Sequence, residues 1–421
     1  MTRFSFLLSC LLACGTASAT LRATEPNHTE GKSRPALKFE MQEIESGLKV
    51  GYAVILEDLN NDGKLDIIVV DTNRVLWYEN PTWKRRTLLG AKTPADNVCI
   101  TAIDITGDGH KELVLGSGWK PFDTQNPGTL HWLKRGNSLE DEWSLHPIPC
   151  EEPTVHRVRA IDLDGDGRQE IVHVPLMGRD ATREKNWLDG RPVRIIAYKI
   201  PSEPTKPDAW KPEILADSLH VTHNFAPLNW SSNRHDLIVA SYEGVFIVEK
   251  VGERWTTRKI GTGNQERPDA SRGASEVKIG SIGKPVIATI EPWHGHQVVV
   301  YTRPTQEGQL WERHVIDEQL RWGHAVAWAD LDGDGTDELV IGVRDDPNPK
   351  LSDTHKLRRG VRLYQALDHS GKRWQRTLLE DGGVAVEDLA VGDLNGDGRP
   401  EIVAVGRATG NCRIYWNRTT R

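Results

Sequence analysis

An acidic nonapeptide, D-x-(D/N/T)-x-D-G-x-x-(D/E), occurs five times in this 421-residue chain, each time between two short hydrophobic runs. Its oxygen-bearing positions are Asp58, Asn60, Asp62 and Asp66; Asp104, Thr106, Asp108 and Glu112; Asp162, Asp164, Asp166 and Glu170; Asp330, Asp332, Asp334 and Glu338; and Asp393, Asn395, Asp397 and Glu401. Oxygens at positions 1, 3, 5 and 9 converge if the loop turns tightly, and the glycine at position 6 permits that turn because φ > 0 costs it nothing. Hard oxygen donors in a short acidic loop suit Ca²⁺. An EF-hand would carry a Glu at position 12, where the first copy has Val69. The flanks alternate as strands do, so the expectation is calcium loops on β-hairpins, weakest in the second copy, where Thr106 stands in for a carboxylate or amide.

Repetition at a period of about 50 residues implies a propeller or solenoid. The long interval between Asp162 and Asp330 has room for two units without the loop. His223-Asn-Phe-Ala-Pro-Leu-Asn229 followed by Asp236-Leu-Ile-Val-Ala-Ser matches His324-Ala-Val-Ala-Trp-Ala-Asp330 followed by Glu338-Leu-Val-Ile-Gly, and Glu276–Gly280 with Pro285–Thr289 matches more weakly. The second half of each unit repeats as well. Trp83, Trp143, Trp210, Trp255, Trp311 and Trp374 each follow a turn and precede an outer strand. The seventh unit stops after Trp416, and residues 37–44 have the pattern of its missing outer strand. The fold expected is all-β: one seven-bladed β-propeller over residues 35–421, with calcium-binding loops in five blades. The N-terminal strand closes the ring and leaves no free edge between the first and last blades.

The formal net charge of −7 gives no reason to expect a nucleic-acid partner. Tryptophan is over-represented, 15 against 6 Phe, but the six at one repeat position read as wedge fillers between blades, so tryptophan content alone does not argue for sugar binding. Residues 1–19 read as a secretory signal: Arg3 precedes the apolar run Phe4–Leu12, and Ala17-Ser18-Ala19 forms a small-residue cleavage site. The run is too short for a transmembrane segment. Cys14 after Leu-Leu-Ala also fits, imperfectly, a lipoprotein acylation site. The expected location is secreted or periplasmic, with residues 20–34 a disordered linker. Cys99, Cys150 and Cys412 remain, an odd and widely spaced set that permits at most one bridge.

The repeated loops between strands resemble the FG-GAP/VCBS repeats of integrin-type propellers. A narrower resemblance rests on Glu291-Pro292-Trp293-His294-Gly295-His296-Gln297-Val-Val-Val-Tyr301, together with histidines ahead of inner strands. These features resemble the propeller domain of aldos-2-ulose dehydratases and related 3-keto-glycoside lyases. That resemblance implies elimination on an oxidised sugar. The cupin domains that accompany the fungal dehydratase are absent from this sequence.

Six residues before the first Asp of each loop, or its equivalent, stand Tyr52, Val98, His156, His223, Ala274, His324 and Glu387. This position opens the innermost strand of a blade, at the end opposite the acidic loops. His156, His223 and His324 are therefore expected at one mouth of the central channel. The loop between the second and third strands of a blade emerges on the same face. In the fifth unit it carries Trp293, His294 and His296. Elsewhere such loops carry Arg179, Asp180, Lys185 and Trp187, and Arg344, Asp345 and Asp346. Three converging imidazoles suit a second divalent metal, Zn²⁺, Mn²⁺ or similar, with positions left for substrate. The plain alternative is that they are polar plugs bonded to channel water.

The function expected is a metal-dependent carbohydrate lyase or dehydratase. In this reading the metal is held by His156, His223 and His324, and His294 or His296 acts as base or acid. Trp293, Arg179, Lys185, Arg344 and Asp345 hold a keto-sugar or 3-keto-glycoside. Hydrolysis by metal-activated water would use the same residues. The rival reading is a non-catalytic, calcium-stabilised propeller that binds a glycan or protein.

Overall fold

The computed structural model describes residues 34, 36–231, 234–344 and 359–420. The expected signal at 1–19 and nearly all of the linker at 20–34 lie outside the described residues. The strands are numbered β1–β28 in chain order and form seven four-stranded antiparallel sheets. Six blades use four consecutive strands each. The seventh orders β26 (Val386–Gly392), β27 (Glu401–Gly406) and β28 (Cys412–Asn417) with β1 (Phe39–Glu45) as its outermost strand. The register runs from Phe39 opposite Asn417 to Glu45 opposite Cys412, with a bulge between Glu43 and Glu45. The closure expected from the sequence is therefore present, one to two residues further along the chain.

The second strand of each blade lies between neighbouring blades, so both its faces are covered and it reads as an unbroken apolar run. β3 (Asp66–Asp71), β11 (Glu170–Pro175) and β23 (Glu338–Val343) are buried along their whole length. Outer strands alternate or are exposed, as β1 is. Side chains interlock between blades: Ile161, Val172 and Val174 of the third blade share a core with Phe225, Leu237 and Val239 of the fourth. The six repeated tryptophans all join such cores, with Trp143, Trp210 and Trp311 buried and Trp83, Trp255 and Trp374 partly so.

All five acidic loops are built alike. The first Asp accepts the amide of the position-6 glycine, as in Gly63 to Asp58 (2.8 Å) and Gly167 to Asp162 (3.0 Å), and those glycines have φ from 80° to 86°. The position-9 carboxylate accepts the amide at position 2, in Leu59, Ile105, Leu163, Leu331 and Leu394, at 2.8–3.1 Å. In the third and fourth loops, where positions 1, 3 and 9 are all acids, their oxygens lie within 4.8 Å of one another. Burial, with neighbouring acids adding to it, pushes Glu338 up to about 8 and Asp66 up to about 6. The three described cysteines are free thiols. No helix among the described residues is long and apolar enough to cross a membrane.

Candidate active site at the channel mouth

At the end opposite the acidic loops, a cavity of about 260 Å³ is lined by His156, His223, His294, His324, Trp119 and Trp293, with Tyr52, Phe122, Arg157, Arg344, Glu387 and Arg407 among its other walls. His156 opens β10 (Val155–Ile161), His223 immediately precedes β14 (Asn224–Ser231), and His324 opens β22 (Gly323–Ala329). His294 comes from the loop between β19 (Pro285–Glu291) and β20 (Gln297–Thr302), in the left-handed region at φ 50°. The next residue must be small: a Cβ on Gly295 would come 2.2 Å from the Glu291 carbonyl oxygen. A left-handed histidine costs backbone energy, and such strain tends to sit where a side chain must be aimed.

The inner-strand histidines turn Nδ1 away from the cavity and Nε2 toward it. His156 Nδ1 donates to the His223 carbonyl (2.9 Å), and His324 Nδ1 donates to the Glu387 carbonyl (2.6 Å). His223 Nδ1 lies 2.7 Å from Glu276 Oε1, a close but poorly aligned approach, and Asn224 donates to the other oxygen of that buried carboxylate. His223 Nε2 faces His294 Nε2 at 2.8 Å. Donor nitrogens of His223, His294 and His324 lie within 4.8 Å of one another.

His156 stands beside this trio rather than in it. Its ring is 4.5 Å from that of His223, and its Nε2 meets the Arg157 guanidinium at 3.2 Å. The geometry thus groups His294 with His223 and His324, where equal spacing along the inner strands had grouped His156 with them. Burial, reinforced by the Arg157 and Arg344 guanidiniums, holds His156, His294 and His324 well below the ordinary imidazole range. His223 is lowered too, by burial, with Glu276 opposing. Neutral imidazoles are the form that ligates divalent metals, and the Nδ1 contacts of His223 and His324 leave Nε2 as the ligating atom.

Other expected site residues fall differently. Trp293 lines the cavity and stacks on His294 at 4.2 Å. Arg344 lines it and pairs with Glu387 (3.2 Å), which also holds Arg407 (2.9 Å). His296 is exposed and outside the lining, because the turn at Gly295 sends it to the opposite side from His294. Arg179 donates to the backbone carbonyls of Gln125 and Glu151, and Lys185 is exposed; neither lines the cavity. Asp345 lies outside the described residues. The 178–190 loop instead packs Trp187 on Phe122, with rings 5.5 Å apart and nearly parallel.

Several site residues had an unused signal in the sequence. Tyr52 and Glu387 occupy the same repeat position as the three histidines. Arg407 stands six residues after the last acid of its loop, as the already expected Arg344 does. Arg157 and Glu276 carry no repeat signature.

A family model described as the aldos-2-ulose dehydratase β-propeller domain matches residues 127–304, and one described as an FG-GAP-like repeat matches residues 58–115. The first stretch contains His156, His223, Trp293 and His294 and ends before His324. The curated aldos-2-ulose dehydratase of Phanerodontia chrysosporium is 25% identical over 382 residues, which cover 84% of this chain and 40% of that protein. The chain therefore spans well under half the length of that relative. Among solved structures, crystal structures of BBS1N in complex with ARL6DN, soaked with mercury or with lead, align at a TM-score of 0.54. Their identities are 11% and 12%, and the alignments cover 92% of this chain and 99% of theirs. At that identity the likeness shows the propeller fold alone. By repeat, by fold and by the stretch that carries its histidines, the chain resembles FG-GAP-repeat propellers and, among them, the propeller domain of aldos-2-ulose dehydratase.

Proposed function

We propose that this propeller is a carbohydrate lyase or dehydratase that eliminates a β-substituent from a keto-sugar or 3-keto-glycoside at the channel mouth. One observation carries the reading: donor nitrogens of His223, His294 and His324 lie within 4.8 Å of one another in the channel-mouth cavity, in a stretch of chain similar to a sugar dehydratase. Their donor set fits a divalent transition metal, with His223, His294 and His324 as the ligands. Such an ion would act as a Lewis acid on the substrate ketone and so acidify the neighbouring C–H. Glu276 and the Glu387 carbonyl orient two of these imidazoles.

His156 is then free for proton transfer. Its Nδ1 is committed to a carbonyl, so its cavity-facing Nε2 is the lone pair that accepts the α-proton. Arg157 leaves that nitrogen for the oxygen on which charge develops. Trp119, Phe122 and Trp293 supply flat apolar walls suited to a sugar ring.

We also infer that the five acidic loops bind Ca²⁺ as structural pins, far from the chemistry. Basic side chains already sit on some of these acids, Lys199 on Asp164 and Arg399 on Asp397. Calcium must displace or accommodate them. Export to a calcium-rich compartment, through the leader expected at residues 1–19, fits weak sites of this kind.

Elemental analysis of the purified protein, with keto-sugar turnover measured before and after chelation, tests the assignment. His324→Ala is expected to lose both metal and turnover, and His156→Gln to lose turnover while keeping metal. A protein that binds no transition metal, or turnover untouched in His324→Ala, would remove the lyase reading and leave a binding propeller.

A further inference from the structure

Beneath the histidines the central channel widens into a second cavity of about 430 Å³, joined to the first through Arg157 and Val98, which line both. Its charged walls are Arg157, Arg159, Lys278, Glu276 and Asp388. Both acids are already engaged. Glu276 takes His223, Asn224 and, at 3.7 Å, Arg157. Asp388 accepts the amides of Val54 and Leu389, each at 3.0 Å. Arg159 spends two of its nitrogens on the Phe225 carbonyl and the Asn224 side chain, both at 2.9 Å, and keeps one nitrogen uncommitted. The Lys278 ammonium makes no hydrogen bond or ion pair among the described residues, although it projects from β18 (Glu276–Ser281) into this enclosed space. Burial and the adjacent Arg159 push it down to about 7, against the opposing pull of the Asp388 and Glu276 carboxylates. Three cations against two engaged carboxylates leave the channel one charge short of balance. An unbalanced cation in such a channel is destabilising unless something neutralises it.

We propose that this channel binds a small oxyanion, of carboxylate or phosphate size, between the Lys278 ammonium and the guanidiniums of Arg159 and Arg157. The cavity has room for such an anion with its waters. The unspent donors, three on Lys278 and one nitrogen on Arg159, line it from the inner strands of the fifth and third blades, β18 and β10. The site adjoins the keto-sugar cavity through Arg157, but its own donors, Lys278 and Arg159, line only the lower one, so the proposal does not depend on the lyase reading.

The test is thermal melting of the intact protein against sulfate and, separately, acetate, with ionic strength held constant by chloride. Sulfate stabilises many proteins without binding, so saturation is the criterion. The expected result is a saturable rise in melting temperature for the wild type. Its half-point should move to about tenfold higher anion in Lys278→Met, the loss of one charge-assisted hydrogen bond. Response to sulfate alone marks a phosphate-like ligand, response to acetate alone a carboxylate, and response to both the shared chemistry. A non-saturating rise identical in the two proteins overturns the proposal. Should Lys278→Met not fold, a selenate soak of wild-type crystals decides. An anomalous selenium peak beside Lys278 and Arg159 is expected, and an empty channel at saturating selenate refutes the site.

Discussion

Glu276→Gln removes a single charge and leaves the shape of the site intact. In the wild type one carboxylate oxygen lies 2.7 Å from His223 Nδ1, and the other accepts the Asn224 amide. Asn224 cannot turn its amide over to suit a new partner, because its Oδ1 already accepts Arg159 (2.9 Å) and the Phe225 amide (2.8 Å). A glutamine must therefore aim its NH2 either at the Asn224 NH2 or at His223 Nδ1–H. Both choices oppose two donors in a buried place, at a cost of about 1–3 kcal/mol. The alternative is that His223 shifts its proton to Nε2 and ceases to be a ligand. Loss of a carboxylate behind a metal-binding histidine typically weakens the metal about 10–100-fold, or about 1.4–2.7 kcal/mol. The assay is a competition titration of zinc against a chromogenic chelator, run beside thermal melting. A lower affinity and a melting point reduced by a few degrees are expected. Wild-type affinity in Glu276→Gln would refute the orienting role of Glu276 and, with it, the metal assignment of His223.

Deleting residues 39–45 should open the ring: β1 pairs with β28 at six positions, and each ladder bond contributes roughly 0.5–1.5 kcal/mol net, so several kcal/mol should vanish from melting or denaturant curves. A truncated protein that melts like the full chain would contradict the closure. Calcium should raise the melting temperature in a concentration-dependent way, and Asp166→Ala should remove part of that rise; identical melting in calcium and chelator would contradict the structural-pin account. Because the folded His156 titrates well below the ordinary 6.5, it remains an unprotonated base on the acid side of that value. The acid limb of kcat/KM is therefore expected to fall below pH 6.5, and a limb at or above it would argue against His156 as base. His296→Ala should leave turnover within about twofold of wild type, since the side chain is exposed and off the cavity.

The sequence made the ring and its closure legible because every blade repeats the same positions. An unbroken apolar run such as Ile67–Val70 can only be a strand covered on both faces, and the leftover N-terminal strand has a single vacant edge to fill. The channel mouth was legible for a related reason: a position that opens an inner strand must reach the axis, and His156, His223 and His324 occupy it. The allocation of roles among the histidines was not legible. It depends on the left-handed backbone at His294, on the turn at Gly295 that separates His294 from His296, and on which acceptor each Nδ1 finds. Loop length likewise placed Arg179 and Lys185 on the right face without fixing side-chain direction. Arg179 serves the backbone carbonyls of a neighbouring loop instead. Arg157, Glu276 and Lys278 lie on inner strands at positions without repetition, so only the assembled channel brings them together.

The most direct test of the central claim is to incubate the metal-loaded protein with a 3-keto-glucoside and follow the conjugated enone that α-proton loss and β-elimination would produce, with His324→Ala and His156→Gln in parallel. The account predicts enone formation by the wild type, none by His324→Ala together with loss of the transition metal, and a severe fall in His156→Gln with the metal retained. Wild-type protein that holds its metal yet forms no enone, or a His324→Ala variant that forms it at the wild-type rate, would contradict the account.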